Sequence, residues 1–378
     1  MIQFTQMQPQ NILRMAYNND VFRFYSDSIT NPIYAEVSIN DTTPIRLYPS
    51  PQGRFYCNLM PYIKAMINTT NFEDTTTTEL SVTDPQSFVY DANNGRYFTA
   101  QVTFKVMESE NVSDGTNLAL YWLAAAQQHG EFRLINTDEL LTLTPNTPNT
   151  LNQWYVKYWE GYPFDIGFYN ESKSFKMEHM GNLHWQGFHS GNACSRLFLS
   201  DGRTDVTLED FIPLSTGTNN LKLTRQNDDN FYILTVDKAE SCKGVYLKWL
   251  NAQGGYSYWL FENTYAVDRS VKDLGELDRD FSNLDSSFGR ASQIGRQSQD
   301  ILKLVAELLT PPQRNIVQNL IESPKVFLFT GTPYGRTGYA DWVEVSVKTN
   351  SVRIKNPREE LTNFTFDIEL PERYVITL

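Results

Sequence analysis

Three histidines and a cysteine at even spacing are the first candidates for metal chemistry in this sequence. His179, His184 and His189 follow one another at five-residue intervals, and Cys194 comes five residues later. Imidazole and thiolate are ligands that suit zinc. This interval places the side chains on one face of neither a helix nor a strand, so they would converge only through turns. Ordinary loop and strand histidines are the preferred interpretation, and we predict no metal and no other cofactor.

Other catalytic patterns point in the same direction. The sequence holds no G-x-S-x-G nucleophile elbow, and the glycine-containing segment GTPYGRTG at 331–338 lacks the Gly-Lys-Ser/Thr ending of a phosphate loop. Carboxylate pairs such as Glu209 with Asp210, or Asp228 with Asp229, are of the type a glycosidase needs, but sequence does not give their separation. We therefore predict a protein that is not an enzyme, and a glycosidase is the last alternative.

Aromatic residues offer a second kind of chemistry, the stacking of sugar rings. The segment QWYVKYWEGYPFDIGFY, residues 153–169, contains two Trp and four Tyr. Flat rings with polar tips suit a glycan platform, and the candidates are Trp154, Tyr158 and Trp159. Core packing is the more common fate of such side chains.

A run of aromatic residues near the middle of the chain predicts a β-hairpin. The stretch YLKWLNAQGGYSYWLF, residues 246–261, consists of two apolar runs that meet at Gln-Gly-Gly. Both faces of this hairpin are largely apolar, so it must be covered twice, by its own domain and by another layer, domain or subunit. The candidates for subunit contact are Tyr246, Trp249, Tyr256, Tyr258, Trp259 and Phe261. The alternative is a central strand pair that is simply buried.

Composition limits the classes of partner. The 378 residues are 13% aromatic and 20% charged, which indicates a folded, β-rich protein of two or three domains. A formal charge of -12 argues against stable nucleic-acid binding, which needs clustered Lys and Arg. Three scattered cysteines encode no disulfide framework, and no apolar run is long enough to span a membrane.

The elements that must position these residues are mainly strands, and the predicted fold class is mainly β, with sandwich or barrel domains. Strands punctuated by turn residues are predicted from Val21 to about Lys105, and Met60 to Ile67 predicts a short helix. Apolar residues from Ile294 to Leu309 recur at three and four positions and predict a helix, and Thr310-Pro311 opens a second one ending near Glu322, which together give a small helical hairpin. Predicted strands follow at VFLF, DWVEVSV, SVRI, FTFDIEL and YVITL.

Four ranges result from these patterns. We predict an N-terminal β-sandwich at 1–109 and a middle β domain or insertion at 110–266 that ends in the aromatic hairpin. Residues 267–300 are acidic and serine-rich and predict a linker or extended arm. The range 301–378 holds the two helices and C-terminal strands that complete the first sandwich or form a separate domain.

The order of these features resembles virion structural proteins of tailed phages that infect Bacteroidota, including crAss-like phages. The resemblance rests on the Pro-x-Gly-x-Phe and short-helix element at 51–67, the aromatic hairpin at 246–261 and the passage IGRQSQDILKLV to ESPKVFLF at 294–329. It implies a tail-hub, distal-tail or connector-ring subunit that forms a homo-oligomeric ring, of roughly six or twelve copies, and contacts other tail proteins. It also implies a location in the virion after synthesis in the host cytoplasm. A receptor- or glycan-binding module at the tail tip is the alternative function.

Overall fold

The structure is a computed structural model that describes residues 1–92, 95–109, 112–128, 133–147, 152–225, 230–262, 264–278, 291–331, 341–355 and 361–377. The chain is mainly β, as predicted, and its strands form several sheets. No helix among the described residues is long and apolar enough to cross a membrane. Of the glycine-containing segment at 331–338, only Gly331 is among the described residues. The Asp228 and Asp229 pair lies wholly outside them.

The N-terminal residues form a sandwich of a three-stranded and a five-stranded sheet, in the orders β1-β3-β6 and β2-β9-β8-β4-β5. Phe4, Phe22 and Phe24 of the first sheet all contact the ring of Phe104 in the second, with ring centroids 5.1 to 5.2 Å apart. The elements are β1 (Ile2–Gln6), β2 (Leu13–Met15), β3 (Val21–Ser26), β4 (Tyr34–Ile39), β5 (Ile45–Leu47), β6 (Phe55–Asn58), α1 (Met60–Ile67), β7 (Val89–Asp91), β8 (Tyr97–Ser109) and β9 (Val112–Leu123).

A second sandwich lies in the middle of the chain. Its sheets have the orders β10-β12-β15-β7 and β11-β17-β16-β13-β14, so the N-terminal strand β7 completes one of them. Phe168 and Phe175 stack between the sheets with ring centroids 4.8 Å apart. The strands are β10 (Leu141–Thr142), β11 (Gln153–Trp159), β12 (Phe164–Tyr169), β13 (Ser174–His179), β14 (Trp185–His189), β15 (Cys194–Ser200), β16 (Gly217–Arg225) and β17 (Phe231–Ala239).

The C-terminal part forms one seven-stranded sheet, β19-β18-β24-β25-β26-β23-β20, which begins with the aromatic hairpin. The C-terminal strands therefore join this hairpin and do not complete the N-terminal sandwich. The elements are β18 (Gly244–Leu250), β19 (Tyr256–Glu262), β20 (Tyr265–Asp273), β21 (Glu276–Asp278), β22 (Ala291–Gln293), β23 (Arg296–Leu309), α2 (Pro311–Val317), β24 (Val326–Phe329), β25 (Trp342–Val347) and β26 (Thr362–Glu369). Short 3-10 helices occupy Pro85–Phe88, Leu208–Asp210 and Gln318–Glu322.

The predicted helix before Leu309 is wrong, because this segment is the fourteen-residue strand β23. Leu302, Leu304 and Ala306 alternate with less buried residues, so the same apolar residues also satisfy a period of two. Pairing with β26 on one side and β20 on the other decides for the strand. The C-terminal helical hairpin is thus reduced to α2 and the 3-10 turn that follows it.

The start of α2 follows the prediction closely. Thr310 precedes the helix, Pro311 occupies its first position, and the Gln313 side chain accepts a hydrogen bond from the Thr310 N–H at 3.0 Å. The 3-10 helix that continues it ends at Glu322, as predicted.

Three other expectations change. The segment at 267–300 is not a linker, because its described residues form the hairpin of β20 with β23 and the short pair of β21 with β22. The predicted strands SVRI, at 351–354, and YVITL, of which 374–377 are described, are not strands. Both segments are largely exposed, and a strand needs a neighbour that satisfies its backbone groups.

Candidate functional site

The six candidates for subunit contact in the aromatic hairpin are buried within the chain itself. The prediction that they form a contact surface is therefore wrong, because the folded chain leaves none of them accessible to a second subunit. Strands β18 and β19 form the predicted hairpin, and Leu247 lies opposite Trp259. None of the six side chains is more than 5% exposed. Trp159 of β11 lies edge-on to Trp259, with ring centroids 5.1 Å apart, and Tyr162 contacts Tyr246 at 4.6 Å. The second layer that covers this hairpin is therefore the middle sandwich of the same chain.

The three glycan-stacking candidates are also core residues. Trp154, Tyr158 and Trp159 are each at most 2% exposed, so their faces are not open to a sugar. The indole N–H of Trp159 donates a hydrogen bond to Glu262 Oε1 at 2.9 Å, which joins β11 to the end of β19. The platform prediction is wrong because β11 is a buried strand, although Trp154 borders the cleft that is described below.

The evenly spaced histidines make separate local contacts. His179 Nδ1 accepts hydrogen bonds from the backbone N–H groups of Gly181 and Asn182. The ring proton is therefore on Nε2, which donates to Asn219 Oδ1 at 3.1 Å. His189 Nδ1 lies 2.8 Å from Ser174 Oγ. Within the part of the chain that the structure describes, no three His, Cys, Asp or Glu side chains are arranged to hold a metal. Of the acidic pair at 209–210, Glu209 forms an ion pair with Lys238.

The most concentrated electrostatic feature is a buried ionic cluster of Asp74, Asp165, Arg196 and Lys248. Arg196 on β15 pairs with Asp165 on β12 and, at 2.7 Å, with Asp74 from the loop after α1. Lys248 on β18 reaches Asp74 at 2.8 Å, and the Tyr258 hydroxyl donates to Asp165. The cluster thus connects an N-terminal loop, the middle sandwich and the C-terminal sheet. Sequence reasoning missed it, although single charged residues inside the apolar runs YLKWL, PFDIGF and SRLFLS were the signal.

Proton equilibria in the buried ionic cluster follow from burial opposed by charge. Burial alone would raise the pKa of Asp74, but Arg196 and Lys248 hold that pKa far below its ordinary value. Burial would likewise lower the pKa of Arg196, and the two carboxylates raise it instead. For Lys248 burial prevails, and its pKa is lowered despite the attraction of Asp74. The charged groups of the cluster pair with one another, so the cluster is a structural clamp between the three parts of the chain that contribute to it.

The hairpin of β20 with β23 presents an exposed edge of the seven-stranded sheet. β20 is an edge strand of the seven-stranded sheet, and all nine of its residues are exposed. Tyr265 and Val267 lie opposite Leu304 and Leu302 on the same face of the sheet, yet they are 51% and 55% exposed while the two leucines are buried. The apolar inner face of the sheet therefore continues past the part that its own chain covers. The exposed apolar strip of β20 thus consists of Tyr265, Val267 and Val271, and the exposed Leu274 and Leu277 lie farther along the hairpin.

A cleft of about 770 Å³ opens where the N-terminal sandwich, the middle sandwich and the C-terminal part meet. Its walls come from the segment after β9, from the segments around β10, from the turn of the aromatic hairpin and from α2 with its 3-10 extension. Amide side chains are prominent in these walls. Those from the segment after β9, the hairpin turn and α2 with its extension are Gln127, Gln128, Gln253, Asn315, Gln318 and Asn319. No sequence pattern pointed to it, because its walls are far apart in the chain.

Comparison with known proteins gives no family. No family model matches the chain, and no curated protein matches it. Among solved structures, the chain is similar to fibronectin(III)-like modules of Clostridium thermocellum CbhA, at 7% identity and TM-score 0.20, over 64% of this chain and 95% of that one. It is also similar to a chimeric titin Z1Z2, at 11% identity and TM-score 0.20, over 64% and 97% of the two chains.

A third similar structure spans more of the chain. This is Bacteroides ovatus mixed-linkage glucan utilization locus SGBP-B in complex with a mixed-linkage heptasaccharide, at 11% identity and TM-score 0.18, over 96% of this chain and 65% of that one. At such TM-scores these similarities carry no argument about function, which must come from the surfaces of the molecule itself.

Proposed function

We propose that this protein is a non-enzymatic structural subunit that assembles with copies of itself, in the role of the phage tail-hub, distal-tail or connector-ring proteins that its sequence resembles. The observation that carries the proposal is the fully exposed edge strand β20 with its apolar strip. A long edge strand presents unpaired N–H and C=O groups to any neighbour, and monomeric proteins usually blunt such edges. An assembly subunit instead uses the edge.

The hairpin is ordered by its own contacts, which favours docking at low entropic cost. Asp300 on β23 accepts hydrogen bonds from Arg269 at 2.7 Å and from Arg373 at 3.0 Å, and these hold the hairpin to the C-terminal segment. Further along the hairpin, Lys303 pairs with Asp268 at 2.7 Å. These contacts hold the strand that carries the exposed apolar strip in place without a neighbouring subunit.

The neighbour that we propose is a second copy of this chain. A ring forms when a patch on one copy binds a different patch on the next and the rotation closes. The projecting hairpin is one such patch, and its apolar side chains gain by leaving water when another copy covers them. The net charge of -12 keeps the free subunit soluble and opposes nonspecific association. Other tail proteins are further partners in this proposal, and the virion is the place of assembly.

The test uses a charge introduced on either face of β20. Val267→Asp with Val271→Asp places two carboxylates in the apolar strip, whereas Ala266→Asp with Ser270→Asp places the same charges on the opposite face of the same exposed strand. We expect the first variant to abolish concentration-dependent oligomers in sedimentation and in negative-stain images. The second variant is the matched control and should still assemble.

Two results would contradict the proposal. One is a wild-type protein that stays monomeric at every concentration and shows no closed particles by negative stain. The other is equal loss of assembly in both double variants, which would trace the effect to added charge and not to the apolar strip. Thermal unfolding of both variants shows whether the fold is retained, and we expect it to be, because every substituted residue is exposed.

A further inference from the structure

The cleft between the three parts of the chain has the chemistry of a binding site. It measures about 770 Å³, within the usual range for small-molecule sites. An amide side chain both donates and accepts hydrogen bonds, so a wall rich in Gln and Asn matches a ligand whose groups also do both. Apolar side chains line the cleft as well, and they include Met15, Leu123, Ile135, Leu141 and Leu143.

Charge in the cleft is nearly absent. Among the described residues that line it, only Arg133 and Glu322 carry a full charge. Arg133 is neutralised by Glu139, with which it pairs at 2.7 Å. An anionic ligand would therefore meet no available cation and would lie near the carboxylate of Glu322, so the cleft favours a neutral ligand.

The walls are held firmly around the opening. Asn251 at the start of the hairpin turn donates to the Leu143 carbonyl at 3.0 Å, and its Oδ1 accepts from the backbone N–H of Gln253 and Gly255. On the other side, Asn315 on α2 donates to the Asn146 carbonyl at 3.0 Å. A wall fixed in this way binds without a large ordering cost.

Gln253 is placed to read a ligand. Its backbone is held by Asn251, while its side-chain oxygen Oε1 has no hydrogen-bond partner among the described residues. A buried acceptor without a partner is costly, and turning this amide toward a ligand hydroxyl breaks no existing bond to Oε1. Gln318, on the 3-10 extension of α2, also lines the cleft, and its side-chain nitrogen lies 3.5 Å from Asn315 Oδ1.

From this chemistry we propose that the cleft binds a neutral oligosaccharide. Sugar rings combine apolar C–H faces with hydroxyl groups that donate and accept, which fits walls that contain both aliphatic and amide side chains, without requiring a charge. The site is independent of the proposed assembly surface, because β20 contributes nothing to it. It also differs from the buried β11 aromatic platform, of which only Trp154 reaches the cleft wall.

The experiment is calorimetric titration of the full chain with maltohexaose and with cellohexaose, and with hexagalacturonate as the anionic probe. We expect a neutral hexasaccharide to bind and hexagalacturonate to bind more weakly. Gln253→Ala and Gln318→Ala should each weaken the neutral sugar about fivefold, the effect of one lost hydrogen bond. Gln101→Ala, an exposed amide on β8 outside the cleft, is the matched control and should leave affinity unchanged.

Three outcomes would overturn this assignment. They are binding of neither neutral hexasaccharide at millimolar concentration, binding of hexagalacturonate as tight as that of the neutral sugars, and binding that both cleft variants leave unchanged. Thermal midpoints establish that the variants fold, and the Gln253 side chain can be removed without touching the backbone hydrogen bond that holds the turn.

Discussion

Lys248 carries a charge in the middle of the otherwise apolar strand β18, and this residue shows how single side chains constrain the whole chain. It pairs with Asp74 at 2.8 Å, and its ammonium group also lies over the ring of Trp342 at 4.4 Å. A buried charge is tolerated only when it is paired. The loop that carries Asp74 is therefore fixed to the C-terminal sheet, because the Asp74 carboxylate compensates the buried charge of Lys248.

Removal of the Asp74 charge should be strongly destabilising. Asp74→Asn leaves Lys248 buried without a neutralising partner, and loss of one member of a buried pair costs about 3 to 5 kcal/mol. Urea unfolding of wild type and variant measures this difference in the free energy of unfolding. Asp268→Asn removes an exposed pair with Lys303 and is the control, with an expected cost below about 1 kcal/mol. Equal costs for the two variants would contradict a buried clamp.

The same carboxylate predicts how stability depends on pH. Because Arg196 and Lys248 hold the pKa of Asp74 below its value in the unfolded chain, its contribution is present above the unfolded pKa, about 4, and is lost as pH falls toward the folded pKa. We expect the gap in urea midpoint between wild type and Asp74→Asn to be widest near neutral pH and to narrow in acid. A gap that stays constant, or widens in acid, would argue against the charge as its cause.

At the scale of elements, the turn between β18 and β19 is a wedge between the two sandwiches. Gly254 has a φ of +86°, and a Cβ on it would lie 2.7 Å from the carbonyl oxygen of Ala124 in the N-terminal part. A Cβ on Gly255 would collide with the carbonyl oxygen of Leu143 in the middle part. Only glycine allows the backbone to approach this closely.

Substitution at the wedge should therefore cost stability. Gly255→Ala is expected to lower the free energy of unfolding by about 2 kcal/mol or more, because a backbone carbonyl cannot move aside as a side chain can. Gly187→Ala on β14 is the matched control, since a Cβ there meets nothing within 4 Å. Thermal and urea unfolding give the comparison, and a variant at 255 as stable as the one at 187 would show that the turn does not fit tightly.

At the scale of the whole molecule, three sets of sheets share one continuous core. Buried residues of all three parts form a single cluster, β7 crosses from the N-terminal part into a middle sheet, and the buried ionic cluster joins all of them. Such interdependence favours one cooperative transition, although chains of this length often unfold in steps.

We therefore expect a single unfolding transition. Tryptophan fluorescence reports on the buried Trp122 in the first sandwich and Trp249 in the last sheet, and far-UV circular dichroism reports on all strands. The two signals should give the same urea midpoint. Separate midpoints would mean that one part unfolds alone, and the interfaces described above would then contribute less than their burial implies.

The sequence by itself predicted most local structure. Alternation and turn residues located the strands between Val21 and about Lys105, and Thr310 and Pro311 marked the start of α2, which depends on contacts among neighbours in the chain. The aromatic hairpin formed at its predicted position for the same reason. These features depend on interactions between residues close in sequence, which a pattern can display.

Tertiary structure decided what the chain does with those elements. The stretch before Leu309 satisfied both periods, and its pairing with β26 and β20 made it a strand. Burial of the hairpin aromatics, pairing of Arg196 with Asp74 and the walls of the cleft all join residues that are distant in the chain. Packing between distant parts of the chain decides what covers the second face of an apolar strand and which residue neutralises a buried charge. Sequence spacing alone therefore predicts neither of them.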